Sequence, residues 1–282
     1  MTTNEHNANS LAAMSRLKAA MDSSQTCACV GIDPVEDRLP NMLTMTAGTG
    51  LDHLRTFCMT VLDSVQGIVG IVKPQSACFE RYGSSGYALL EEVIKAAKAK
   101  GLVVILDAKR GDIGSSAAHY AAGAAAMHVD FITCSPYMGR STIEPFLSAH
   151  LGVFALCQTS NPDATELQTP DLTNAVASMI TALGDQVGAV VGATNNTATT
   201  NTLRATMPDA MFLVPGVGAQ GGTIEDVRAM TRPNATKHSE LGVCINASRS
   251  VLYPEPQPSE SWQDAIAREA KSFAELCRSL LD

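Results

Sequence analysis

Residues 102–134 read LVVILDAKRGDIGSSAAHYAAGAAAMHVDFITC. The segment opens on Leu102–Leu106, a short and wholly apolar run rich in β-branched residues. Such a run is the mark of a strand buried on both faces. It closes on a second run of the same kind, Val129–Thr133, and the stretch between, Ser115–Met127, reads as a helix. Strand, helix, strand is the unit from which parallel sheets are built.

The same alternation extends in both directions. Upstream lie Cys27–Ile32 and Ile68–Val72; downstream lie Gly152–Cys157, Ala189–Val191, Met211–Val214 and Val243–Ile245. Helical stretches fall between them, as at Tyr87–Lys100, which Gly101 stops, and at Thr173–Leu183. Eight strands alternating with helices predict an α/β fold, a (β/α)8 TIM barrel in one domain, with a doubly wound open sheet as the alternative. Residues 1–10, MTTNEHNANS, are expected to be a disordered tail, and 11–282 the barrel domain. Leu11–Met21 is expected as a helix packed outside the barrel. Trp262–Leu281 is expected as a last helix, after the proline-rich turn Tyr253–Glu260.

Composition narrows the function. The 282 residues hold 20 Lys+Arg against 28 Asp+Glu, a net charge of -8. That balance argues against a nucleic-acid polymer as partner but not against a small anion. A hydrophobic fraction of 45% excludes a disordered chain. No apolar run approaches the ~18 residues of a membrane span, and the polar N-terminus lacks the apolar region of a signal peptide. The expected location is cytoplasmic, with no membrane partner. The eight scattered cysteines read as small buried hydrophobes, and no histidine pair sits at ligand spacing, so no metal is expected.

A barrel places its active site just beyond the strand ends. Those exits are Asp33, Lys73, Asp107 with Lys109, Ser135, Gln158 with Ser160, Gly192, Gly216–Gly222, and Asn246 with Arg249. Four of the eight exits carry charge. Asp107, Lys109 and Asp112 surround a lysine with carboxylates, which favours its protonated form and suits it to donate a proton or stabilise an anion. The competing reading, a surface salt-bridge cluster, fits poorly after a buried run. Lys73 is either snorkelling to the rim or placed there for function. Asp33 is either a site residue or a turn residue before Pro34. Residues 214–222, VPGVGAQGG, contain G-x-G-x-x-G. A dinucleotide fingerprint belongs in a first βα unit, and this one follows the seventh strand. In a barrel that position suits a phosphate loop, with Gly218, Gln220 and Gly221 near the anion, a helix starting near Thr223, and Arg249 gripping the same phosphate.

These residues together resemble the orotidine 5′-phosphate decarboxylase family, in its longer-chain, type 2 branch. The most specific element is D-x-K-x-x-D-I, here Asp107 to Ile113. VKPQ followed by FE and YG within Val72–Gly83, TSNP at Thr159–Pro162 and PGVGAQGG at Pro215–Gly222 are similar to further family segments. The resemblance spans about Gly31 to Tyr253. It implies loss of CO2 from orotidine 5′-monophosphate to give UMP, the last step of de novo pyrimidine nucleotide synthesis, with no cofactor. It implies an alternating tetrad of Lys73, Asp107, Lys109 and Asp112, with Lys109 as proton donor to C6 and Asp107 against the substrate carboxylate. It implies a homodimer in which Asp112 and Ile113 serve the partner's site. Asp33 and Lys73 would hold the ribose. Ser160 would contact the base, with Gln158 and Thr159 as alternatives. Gln220, the loop backbone and Arg249 would hold the phosphate.

Metal-dependent sugar-phosphate decarboxylases and aldolases of the same superfamily share D-x-K-x-x-D. They carry an acidic Mg2+ ligand where this chain has Lys73. A non-catalytic barrel would show a broken tetrad, and a dehydrogenase would rest on the glycine pattern alone.

Overall fold

The structure, a computed structural model, describes residues 12–218 and 221–282; the expected tail of residues 1–10 and Gln220 lie outside the described residues. The strands are β1 (Ala28–Ile32), β2 (Ile71–Pro74), β3 (Val103–Arg110), β4 (Phe131–Cys134), β5 (Gly152–Gln158), β6 (Val187–Val191), β7 (Phe212–Pro215) and β8 (Val243–Ala247). All pair in parallel in sequence order. β8 returns to pair with β1, placing Asn246 opposite Cys29. That closure establishes the (β/α)8 barrel and sets aside the open sheet.

The strand boundaries correct two expectations in a way that matters for the site. Ile68 and Val69 donate their N–H groups to the Val65 carbonyl and turn the chain, so β2 begins at Ile71 and runs through Lys73. β3 continues four residues past Leu106, to Arg110. Charged residues expected beyond these strands therefore stand on them. An apolar run marks burial, whereas a strand is defined by its hydrogen bonds, and the two part company where a strand leaves the core.

Phenylalanines fill the interior. Phe131 and Phe154 meet at 5.1 Å between ring centroids. A Cβ on Gly152 would lie 2.2 Å from the Phe131 ring, so any larger residue at this strand position would have to displace that ring. Large and small side chains alternate here to pack the barrel solid.

The N-terminal helix, Ala13–Ser24, buries Met14, Leu17 and Met21. It packs outside the barrel, at the end where the strands begin. It crosses the floor, tied to residues that precede three strands. Ala20 lies against Gly70, Arg16 pairs with Asp130 at 2.8 Å, and the Met14 N–H donates to the Gln186 side chain at 3.1 Å. Lys98 and the Val104 N–H also bind the buried Asp130 carboxylate. This end is a structural brace. The last helix, Trp262–Arg278, packs on Gly50–Val65, where Trp262 stacks against Phe57. All cysteines but Cys78 are buried, as their apolar settings suggested.

Candidate active site

A cavity of about 810 Å³ opens at the C-terminal ends of the strands. Its charged and polar lining includes Asp33, Lys73, Asp107, Lys109, Ser160 and Arg249. These six residues, from the exits of five strands scattered through the sequence, thus meet in one place, because every strand of a parallel barrel ends on the same rim.

Asp107 is the centre of the arrangement. Its Oδ2 accepts from Lys73 Nζ at 2.6 Å and from Gln75 Nε2 at 3.0 Å. Its Oδ1 accepts from Lys109 Nζ at 2.6 Å and from Thr133 Oγ1 at 2.9 Å. Four donors satisfy the four lone-pair positions of one carboxylate. Burial by itself would raise the Asp107 pKa, but the Lys73 and Lys109 ammonium groups outweigh it and hold the carboxyl well below the usual range. Burial likewise disfavours the charged form of Lys73. The carboxylates of Asp107 and then Asp33 overcome that penalty and raise its pKa above the ordinary lysine value.

The sign of each shift sets the pH window. The lowered Asp107 pKa contributes stability that is present above its unfolded value near 3.9 and is lost as pH falls through the folded value. The raised Lys73 pKa contributes stability that is present below its unfolded value near 10.4 and is lost as pH rises through the folded one. Both contributions are complete at neutral pH. Replacing Asp107 with alanine leaves Lys73, only 4% exposed, buried without that partner. Asp107→Ala is expected to destabilise the fold at pH 7 by about 3–5 kcal/mol in denaturant unfolding. A loss below about 1 kcal/mol would show that the array is solvated as a surface pair is.

Lys109 reaches Asp107 by an unusual route. Its φ is 46°, in the left-handed region, which costs a non-glycine residue about 1–2 kcal/mol. The register between β3 and β4 shifts between Leu106 and Arg110, and the Lys109 N–H leaves the ladder to donate to Thr133 Oγ1 at 2.9 Å. Simple strand alternation does not place this lysine. A kink held by a threonine of the neighbouring strand does.

Thr133 and Gln75 were given no role from sequence. Gln75 stood in the quoted VKPQ. Thr133 was visible only as a lone hydroxyl in the apolar run FITC. Gln168 was missed as well. It clamps the next loop by accepting from the Thr159 N–H and donating to Thr159 Oγ1, both at 2.7 Å. Of the three alternatives for the base contact, Thr159 and Ser160 line the cavity, whereas Gln158 turns away and accepts from Thr173 Oγ1. Gly192 is needed beside Ser160, since a Cβ there would lie 2.6 Å from the serine Cβ. Ser135 and Tyr137 lie outside the lining, and Tyr137 is exposed.

Four expected residues stand apart from the cavity lining. Asp112 accepts from the Ile113 N–H at 2.7 Å on the loop after β3, and Ile113 is 56% exposed. The Gly218 N–H donates to Gly222 and the Gly221 N–H to Gly218, so these two amides close the loop on itself. The cavity-lining part of that loop is Pro215, Gly216 and Val217. The helix expected near Thr223 is one short turn, Ile224–Arg228, capped by Thr223.

A closed parallel barrel with a lysine–carboxylate–lysine array and an arginine at its C-terminal rim is a (β/α)8 enzyme built for a small anionic substrate. The donor set does not fit a divalent cation, because the end of β2 presents the Lys73 ammonium and like charges repel. The chain matches the model of the Orotidine 5′-phosphate decarboxylase / HUMPS family over residues 28–265. It is 40% identical to the orotidine 5′-phosphate decarboxylase of Roseiflexus castenholzii, across 84% of this chain and 87% of that one. It is 36% identical to that of Rhodopirellula baltica, across 89% and 94%. Among solved structures it superposes on Leishmania donovani OMP decarboxylase with a TM-score of 0.78 at 30% identity, covering 96% of this chain and 99% of that one. The chain belongs to the orotidine 5′-phosphate decarboxylase family.

Proposed function

We propose that the rim array carries out the family's reaction, loss of CO2 from orotidine 5′-monophosphate to give UMP in pyrimidine synthesis, with Lys109 as the proton donor. The observation that carries this reading is one buried carboxylate holding two ammonium groups at 2.6 Å in the barrel mouth. Departure of CO2 leaves an electron pair on C6 of the pyrimidine. An ammonium already fixed beside that carbon stabilises the charge as it forms, without reorganisation. Lys109 then transfers its proton to C6. Asp107 holds both lysines in place and lies against the leaving carboxylate.

The remaining contacts are proposed from the family resemblance and from each residue's position. Asp33 and Lys73 hold the ribose, and Ser160 contacts the base. Arg249 binds the phosphate with the loop of Gly218, Gln220 and Gly221. The two glycine amides are engaged within the loop, so gripping a phosphate would require the loop to exchange those bonds as it closes.

The working unit in this proposal is a homodimer. Ile113, Tyr120, Tyr137 and Met138 are exposed apolar side chains on the β3 and β4 loops and on the helix Gly114–Ala126. A second copy would cover them and receive Asp112 and Ile113 into its own cavity. No helix among the described residues is long and apolar enough to cross a membrane. A cytoplasmic location is part of the same proposal.

A UV assay of orotidine 5′-monophosphate loss tests the assignment. Turnover is expected to persist in EDTA, and its abolition would restore the metal-dependent alternative. Arg249→Ala removes a phosphate contact remote from the bond that breaks. It is expected to raise KM about 100-fold or more, the loss of a charge-assisted contact worth roughly 3 kcal/mol, with a smaller effect on kcat. An unchanged KM would remove Arg249 from the phosphate site.

A further inference from the structure

We propose that Tyr253 is a positioning residue for Asp33, acting through the backbone of the turn that carries it. This inference rests on the reading of Asp33 as a substrate ligand. Asp33 follows β1 and precedes Pro34, whose ring confines the aspartate backbone to extended conformations. The next residue, Val35, donates its N–H to Tyr253 Oη at 2.7 Å. The Tyr253 hydroxyl in turn lies 3.2 Å from the Asp33 carbonyl oxygen and donates to it. One phenol therefore closes both sides of the Asp33–Val35 turn.

The phenol is itself held on both counts that matter, ring and chain. Phe57 stacks on its ring at 5.5 Å with planes 6° apart, and the Arg38 guanidinium lies over the ring at 4.5 Å. Burial raises the Tyr253 pKa above that of an ordinary phenol, so the hydroxyl keeps the proton it donates. Tyr253 also ends the short helix Arg249–Leu252, with its N–H bonded to the Arg249 carbonyl. The residue that steadies Asp33 is thus continuous with the segment that presents Arg249.

The Asp33 side chain shows why such steadying has an effect. Asp33 lines the cavity, yet its Oδ1 is enclosed and accepts no hydrogen bond among the described residues. A carboxylate held by its own hydrogen bonds would need little help from its backbone. Asp33 lacks that support on Oδ1, and its charge also acts on Lys73. Its aim is set by the turn, and the turn is set by Tyr253.

The test is a cycle of four proteins: wild type, Tyr253→Phe, Asp33→Asn and the double variant. Phenylalanine keeps the stacked ring and removes only the hydroxyl. In the presence of Asp33, Tyr253→Phe is expected to lower kcat/KM about fivefold to tenfold, mainly through KM. In the Asp33→Asn background the same change is expected to cost less than about twofold, because residues that act as a unit are not additive. Thermal midpoints should fall equally in both backgrounds, which separates the structural share of the hydroxyl from its share in catalysis. Equal losses of kcat/KM in both backgrounds, with Asp33→Asn impaired, would overturn the role of Tyr253 alone. An unimpaired Asp33→Asn enzyme would overturn the ligand role of Asp33 and this proposal with it.

Discussion

Lys109→Ala is expected to yield a folded barrel with almost no turnover. The Lys109 side chain is 47% exposed, into the cavity, and contributes nothing to the core. Alanine tolerates the left-handed backbone there about as poorly as lysine does, so the strain is unchanged. Asp107 keeps Lys73, Gln75 and Thr133 as partners. The thermal midpoint should therefore stay within a few degrees of wild type. Chemistry fares differently. The variant loses the cation that stabilises the developing C6 charge and the proton that quenches it. The two effects together are worth on the order of 10⁵-fold in kcat. Circular dichroism melting and the UV assay read the two outcomes separately. Activity within about 10²-fold of wild type would be too high for loss of both a charge and a proton donor, and would remove Lys109 from the step.

The second large effect is expected from mixing two inactive proteins. In one protomer the Asp112 carboxylate lies outside the cavity lining and is bonded to the neighbouring Ile113 N–H. If it serves the partner's site, Asp112→Ala and Lys109→Ala each disable both sites of a homodimer. In a hybrid of the two, one site carries both lesions and the other carries neither. Random pairing makes half of the dimers hybrids, so about a quarter of wild-type activity should return after co-refolding at equal amounts. Analytical ultracentrifugation of each parent should give a dimer. Failure of mixing to restore activity, with hybrids shown to form, would place Asp112 in its own protomer's site or in none.

Several site residues were legible because they interrupt apolar strands with charge. Asp107, Lys109, Lys73, Asp33 and Arg249 all stand at or just beyond such runs, and all line the cavity. Thr133 was not legible in the same way. A hydroxyl in an apolar strand is common, and only contact across β3 and β4 shows it bonded to both Lys109 and Asp107. Gln168 was hidden for a different reason. It lies in an irregular loop, where no periodicity relates one residue to another, and its link to Thr159 is a matter of loop path. Tyr253 was read only as the edge of a proline-rich turn. Its partner turn lies 218 residues earlier in the chain.

The amino-acid sequence by itself determined the barrel, because burial of parallel strands and the helices between them are local patterns that need only neighbouring residues. It also marked most of the charged groups that line the cavity, because each interrupts or follows an apolar run. The ends of the second and third strands and the place of Asp112 did not follow from those runs. The tertiary structure decided what those groups do to one another. That Asp107 accepts four hydrogen bonds, that Lys109 bends back through a left-handed kink, and that Tyr253 closes the Asp33 turn all follow from ring closure and loop path. Such contacts join residues far apart in sequence, and their energies depend on distances of a few ångströms that no local pattern records.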